Sequence, residues 1–147
     1  MSRTHDALMW REAKGLFLGE KLGEGIARKV YVFRPDPKLV VKIEHGSRSF
    51  QNVLEYEAWN YLRTKHAKWL APCRSISPCG SMLLQWRADS LRESEKFKRL
   101  PKFLVDIKRE NFGMIGDQMV CFDYGTLIHS LNLTSTALIP AKWAAEP

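Results

Sequence analysis

The chain has 147 residues, 45% of them hydrophobic and 27% charged, with a formal net charge of +7. This length suggests one domain and can bury a real core, and no apolar run approaches the roughly 18 residues that a membrane-spanning helix needs. A membrane protein is therefore not expected. Residues 1–10, with His5 and Asp6 and no apolar signal segment, point to a cytoplasmic chain.

The positive charge favours a polyanionic partner such as a nucleotide phosphate, an acidic protein or nucleic acid. The basic residues are scattered, so a solvated basic face is the stronger reading and a nucleic-acid site the weaker. Cys73, Cys79 and Cys121 form no CxxC pair and no zinc spacing with histidine, and read as reduced thiols.

In chain order, residues 1–14 read as a short amphipathic helix ended by Gly15, and residues 16–22 as a strand. A loop at 23–28 leads to a second strand at 29–34, rich in β-branched and aromatic residues. Pro35-Asp36-Pro37 forces a turn, and Leu39-Val40-Val41-Lys42-Ile43 reads as a third strand. Alternation sends residues 39, 41 and 43 to one face and 40 and 42 to the other.

Lys42 sits among buried strand residues and needs a partner, because an unpaired buried charge is costly. Ser47 or Ser49 is placed to cap a helix over residues 50–65, on which Val53, Leu54, Glu57, Ala58, Tyr61 and Leu62 share a face. Glu57, inside that apolar stripe, is the natural partner for Lys42; Glu55 is the rival. Beyond it, Pro72, Pro78 and Gly80 break the chain, with room for a strand at Cys73–Ile76, and residues 81–86 read as another strand. Residues 90–99 read as a weakly amphipathic helix stopped by Pro101. Residues 112–115 and 118–122 form a hairpin with Gly116-Asp117 at its tip. Asn111 stands at its entrance and Asp123 at its exit, both on one side. Residues 140–147 look like a loose end.

The chemistry concentrates in Val105-Asp106-Ile107-Lys108-Arg109-Glu110-Asn111 and Cys121-Phe122-Asp123-Tyr124-Gly125. Asp106 can accept a hydroxyl proton, Lys108 can meet a phosphoryl group, and Asn111 and Asp123 offer the hard oxygens that Mg²⁺ takes. The stretch resembles the catalytic and metal-binding loops of protein kinases, whose pattern is Asp, an apolar residue, three free positions and Asn, then Asp-Phe-Gly. Upstream, Gly23, Gly25, Arg28 and Val30 resemble the kinase glycine loop with Arg28 in place of the third glycine. Val40-Val41-Lys42 resembles the strand whose lysine holds the α- and β-phosphates. Leu104-Val105 stands where the family has His-Arg, Tyr124 replaces the Phe, and no Ala-Pro-Glu follows.

The resemblance implies an α+β fold: a protein kinase-like N-lobe over residues 15–86 (an antiparallel sheet plus one main helix), a much reduced C-lobe over 87–125, and a tail over 126–147, as one minimal domain. It implies ATP and Mg²⁺ as cofactors and phosphoryl transfer to a protein hydroxyl, the chain itself included. Asp106 would be the base, Lys108 would steady the γ-phosphoryl group, Lys42 would be fixed by Glu57, and Asn111 and Asp123 would hold the metal. Gly23, Gly25, Arg28 and Val30 would cover the nucleotide, Leu84 would line the back of the adenine pocket, and Gln85 and Trp86 would begin the hinge.

The plainer readings are a tight hairpin for Gly23-Glu24-Gly25, an edge lysine for Lys42, turn residues for Asp106, Asn111 and Asp123, and core for Trp86. Two other functions stand beside the kinase one. The first is a catalytically silent kinase-like module that binds and regulates a partner. The second is a small basic nucleic-acid binder. A reduced C-lobe exposes apolar surface, so a homodimer or a complex with a partner protein is expected.

Overall fold

The computed structural model describes residues 3–45, 50–92, 99–130, 133–141 and 143. Helix α1 (Arg3–Phe17) runs into β1 (Leu18–Glu24), which is followed by β2 (Arg28–Phe33) and β3 (Leu39–Glu44). Gly15 does not end α1. The helix absorbs it and stops where Leu18 pairs with Phe33 of β2, so strand pairing rather than the glycine sets the boundary. Helix α2 (Gln51–His66) comes next, then β4 (Cys73–Ile76) and β5 (Met82–Trp86). These five strands make one antiparallel sheet in the order β1-β2-β3-β5-β4.

The rest of the chain adds β6 (Asp89–Ser90), β7 (Arg99–Pro101), β8 (Phe112–Ile115), β9 (Gln118–Cys121) and β10 (Leu138–Pro140). The β8–β9 hairpin turns at Gly116, whose φ of 61° is left-handed and favours glycine, and β6 pairs with its open edge. β10 closes on β7. The fold class is α+β. The helix expected over residues 90–99 lies mostly outside the described residues, and its two ends, Ser90 and Arg99, are strand residues instead.

Both faces of β3 are covered: Leu39, Val40, Val41 and Lys42 are all buried, which is why the strand reads as an apolar run rather than an alternation. One cluster joins the sheet and α2 to the later strands: Ala58, Leu62, Leu70 and Leu83 pack with Leu100, Phe103, Phe112, Met114, Met119 and Leu127. Burying a side chain such as Phe103 stabilises by about 1.5–3 kcal/mol.

Helix α2 is turned from the phase its apolar residues suggest. Its buried stripe is Asn52, Glu55, Ala58, Leu62 and His66, whereas Val53, Glu57 and Tyr61 are exposed. His66 stacks on Phe103 at 4.0 Å between ring centroids and bonds the Leu133 carbonyl at 2.9 Å, which satisfies its polar ring in the core. The serines expected to cap this helix, Ser47 and Ser49, lie outside the described residues. Glu44, from the end of β3, accepts the Asn52 backbone N–H at 2.9 Å and satisfies one of the first-turn amides.

Candidate active site

A cleft of about 1100 Å³ opens between the five-stranded sheet and the β6–β8–β9 layer. One wall carries Gly23, Gly25, Arg28, Val30, Val40, Lys42 and Gln85, and the facing wall carries Asp106, Lys108, Asn111 and Asp123. The residues singled out from sequence thus meet around one cavity, with Glu57, Trp86 and Leu84 as the exceptions.

The first exception is Glu57, which is exposed on α2 and does not reach Lys42. Glu55 takes its place: Glu55 Oε2 accepts from Lys42 Nζ at 2.8 Å, with both side chains almost wholly buried. Two residues along a helix is about half a turn, so only one of the two glutamates can face the sheet. The buried polar residues Asn52, Glu55 and His66 set that phase. The second exception is Trp86, which is exposed and outside the cleft, its backbone N–H donating to the Pro72 carbonyl at 2.9 Å. The wall residue of β5 is Gln85 rather than Leu84, because Gln85 is paired with Val40 and Leu84 with Val41. Paired residues share a face, so a one-residue shift exchanges the faces. Arg87, Ala88 and Asp89 continue the rim.

Glu55 is a hub. Its Oε2 also accepts from Arg28 Nη1 at 2.7 Å, and its Oε1 accepts from the backbone N–H of Tyr124 at 2.8 Å. Burial alone would push this carboxyl up, but Lys42 and Arg28 outweigh it and hold Glu55 below the usual carboxylate range. Arg28 binds Asn52 Oδ1 at 3.2 Å and Asp123 Oδ1 at 3.0 Å as well. Burial disfavours its charge, yet the neighbouring carboxylates more than compensate and raise its pKa.

Lys42 also donates to the Phe122 carbonyl. The Tyr124 hydroxyl donates to the Ala71 carbonyl at 2.7 Å and lies 3.2 Å from Cys73 Sγ. Gly125 lets this loop approach α2, since a Cβ there would stand 3.1 Å from Gln51 Oε1 and 3.3 Å from its backbone oxygen. The Asp-Tyr-Gly segment is therefore pinned from several directions.

The facing loop is built differently. Asp106 adopts φ 52°, a left-handed conformation that Asp tolerates better than most residues. Its Oδ1 accepts from Lys108 Nζ at 3.1 Å and its Oδ2 from Asn111 Nδ2 at 3.3 Å, while Asn111 Nδ2 also reaches the Asp106 carbonyl at 3.0 Å. The Asp106 and Lys108 side chains are 43% and 65% exposed, so both are open to a bound molecule. Phe122 N–H donates to the Asn111 carbonyl at 2.9 Å, which ties the two loops together at the base of the hairpin.

Asn111 Nδ2 is committed to Asp106, which leaves its Oδ1 as an acceptor, and Arg28 engages only Oδ1 of Asp123. Among the described residues no group of three His, Cys, Asp or Glu is arranged for a metal. The donors left are two oxygens on adjoining loops. They fit Mg²⁺, which takes few protein ligands and completes its shell with phosphate and water. At Gly23 and Gly25 an added Cβ would meet no atom within 4 Å, so neither glycine is required by packing. Both border the cavity, where an absent side chain lets a ligand approach the backbone. Arg28, read as a glycine-loop departure, does more than sequence reasoning assigned: its length, not its backbone, carries it to Glu55 and Asp123. A signal for Glu55 was the paired polar spacing of Asn52 and Glu55, three residues apart on one helix face.

The chain matches no family model, and no match is found among curated proteins.

Proposed function

We propose that the protein is a minimal kinase-like nucleotide-binding protein that transfers a phosphoryl group from ATP to a protein hydroxyl, its own included. The observation that supports this best is the meeting of Lys42, clasped by Glu55, with Asp106, Lys108, Asn111 and Asp123 around a single cleft. In this reading the five-stranded sheet and α2 act as a kinase-like N-lobe and the β6–β8–β9 layer as a reduced C-lobe.

Lys42 would hold the α- and β-phosphates beneath Gly23 and Gly25, and Lys108 would meet the γ-phosphoryl group. Asp106 would accept the proton as the hydroxyl oxygen bonds to the γ-phosphorus, the bond from that phosphorus to the bridging oxygen breaks, and ADP leaves. Mg²⁺, held by Asn111 and Asp123, would neutralise charge on the phosphates.

A second reading, a module that binds nucleotide and a partner without transfer, is favoured by the Arg28–Asp123 pair, which occupies one oxygen of the metal ligand. Exposed Leu8, Met9, Leu16 and Phe17 on α1 and Tyr61 on α2 support a protein partner or a second copy.

Thermal unfolding with ATP and Mg²⁺ tests the site. Stabilisation is expected for the parent and for Asp106→Ala, is lost in Lys42→Ala and is weakened in Asp123→Ala. Equal stabilisation of all four proteins would refute the assignment. Labelled-ATP transfer, to the protein itself and to a cell extract, separates enzyme from binding module: label should appear with the parent and not with Asp106→Ala.

A further inference from the structure

Arg28 stands at a position where the kinase resemblance calls for a glycine, yet its side chain is 9% exposed and reaches across the cleft wall to the second loop. It joins three groups: Asn52, Glu55 and Asp123. Glu55 already has a full cationic partner in Lys42 at 2.8 Å. Arg28 is thus a second cation on one buried carboxylate, and the charge it adds is directed at Asp123.

A guanidinium carries five N–H groups, and these bonds use three of them. The remaining donors belong to a side chain that borders the cavity. A cation held in this position is poorly screened by solvent, so its field acts on anything bound beside it. It attracts a polyphosphate, and it repels a divalent ion arriving at the free oxygen of Asp123.

Resting on the nucleotide reading above, we infer that Arg28 is a resident cation of the site: it neutralises Asp123 from within the fold and supplies part of the charge that a divalent metal otherwise brings, so that triphosphate binding depends only weakly on metal. Arginine suits the task because its charge is permanent and its planar fork spans two carboxylates at once, which a glycine-loop backbone amide cannot do.

The test is the ratio of ATP dissociation constants in EDTA and in saturating Mg²⁺, measured by calorimetry on the full chain, with folding checked by circular dichroism. The parent should show a ratio below about tenfold. Arg28→Gln, which keeps a polar partner for Asn52 but removes the charge, should raise the ratio by about tenfold or more, a difference of about 1.4 kcal/mol. Arg28→Lys, which keeps the charge, should stay near the parent and serves also if Arg28→Gln fails to fold. ATP binding that collapses in EDTA for the parent, or a ratio that Arg28→Gln leaves unchanged, overturns the role of Arg28 while leaving the nucleotide site standing. A parent that binds ATP in neither condition overturns both.

Discussion

The two walls of the cleft hold their charges in opposite ways. On one, Glu55 is wholly buried and shared by Lys42, Arg28 and the Tyr124 backbone, so each charge is fixed by the fold and the fold by each charge. On the other, Asp106, Lys108 and Asn111 bond mainly to one another on an exposed loop. The difference teaches where stability and chemistry reside. A buried hub keeps its position because breaking it strands a charge in low dielectric. An exposed pair is nearly neutral for stability and is therefore free to engage a ligand.

Breaking the hub gives the largest expected effect. Glu55→Ala leaves buried Lys42 without a carboxylate and Arg28 with Asp123 alone, and should destabilise by about 3–5 kcal/mol, read from the urea midpoint. Glu57→Ala, half a turn away on the exposed face, should change the same midpoint by less than about 0.5 kcal/mol. Equal effects would dissolve the contrast between the two glutamates.

Acid sharpens the comparison on the same carboxylate. Glu55 is held below its ordinary value of 4.5, so the native state prefers the ionised form. Its contribution is complete above that value and is lost as the pH falls through the lower native value, where unfolding no longer takes up a proton. Urea midpoints measured through this range should fall for the parent, and Glu55→Gln should start lower and lose part of that decline. A parallel decline in the two proteins would remove Glu55 as its source.

The Asp123-Tyr124-Gly125 loop is attached to the buried side through Tyr124, which is 1% exposed. Tyr124→Phe removes the donor to the buried Ala71 carbonyl and should cost about 1–3 kcal/mol. No change in the midpoint would show that the hydroxyl does not hold the loop. The smallest effect belongs to the open wall: Asp106→Asn should alter stability by less than about 0.5 kcal/mol while abolishing label transfer. A large loss of stability would place Asp106 with the structural charges rather than the reactive ones.

Much of the architecture was legible because local chemistry and tertiary packing agree. The run Leu39-Val40-Val41-Lys42-Ile43, the Gly116-Asp117 turn between apolar strands and the long periodic segment before His66 each became the element they suggest. The gathering of Lys42, Asp106, Lys108, Asn111 and Asp123 around one cleft is what the kinase resemblance implies. Glu57, Leu84 and Trp86 went otherwise for one reason: each depended on the phase of an element, and a phase changes with a single residue of register. Helix α2 misled most, because its buried stripe carries Asn52, Glu55 and His66 while Val53 and Tyr61 face outward. Apolar periodicity cannot find a stripe whose polar members are satisfied by partners far along the chain.

By itself the sequence determined the kinds of element, their order and the short-range loop chemistry, since these depend on backbone preference and on neighbours within a few residues. Only the tertiary structure decided which glutamate clasps Lys42, that Gln85 faces the cleft, and that Arg28 crosses from β2 to Asp123, 95 residues away. Those outcomes turn on the free energy of burying charge, and that energy exists only once distant segments have excluded water together.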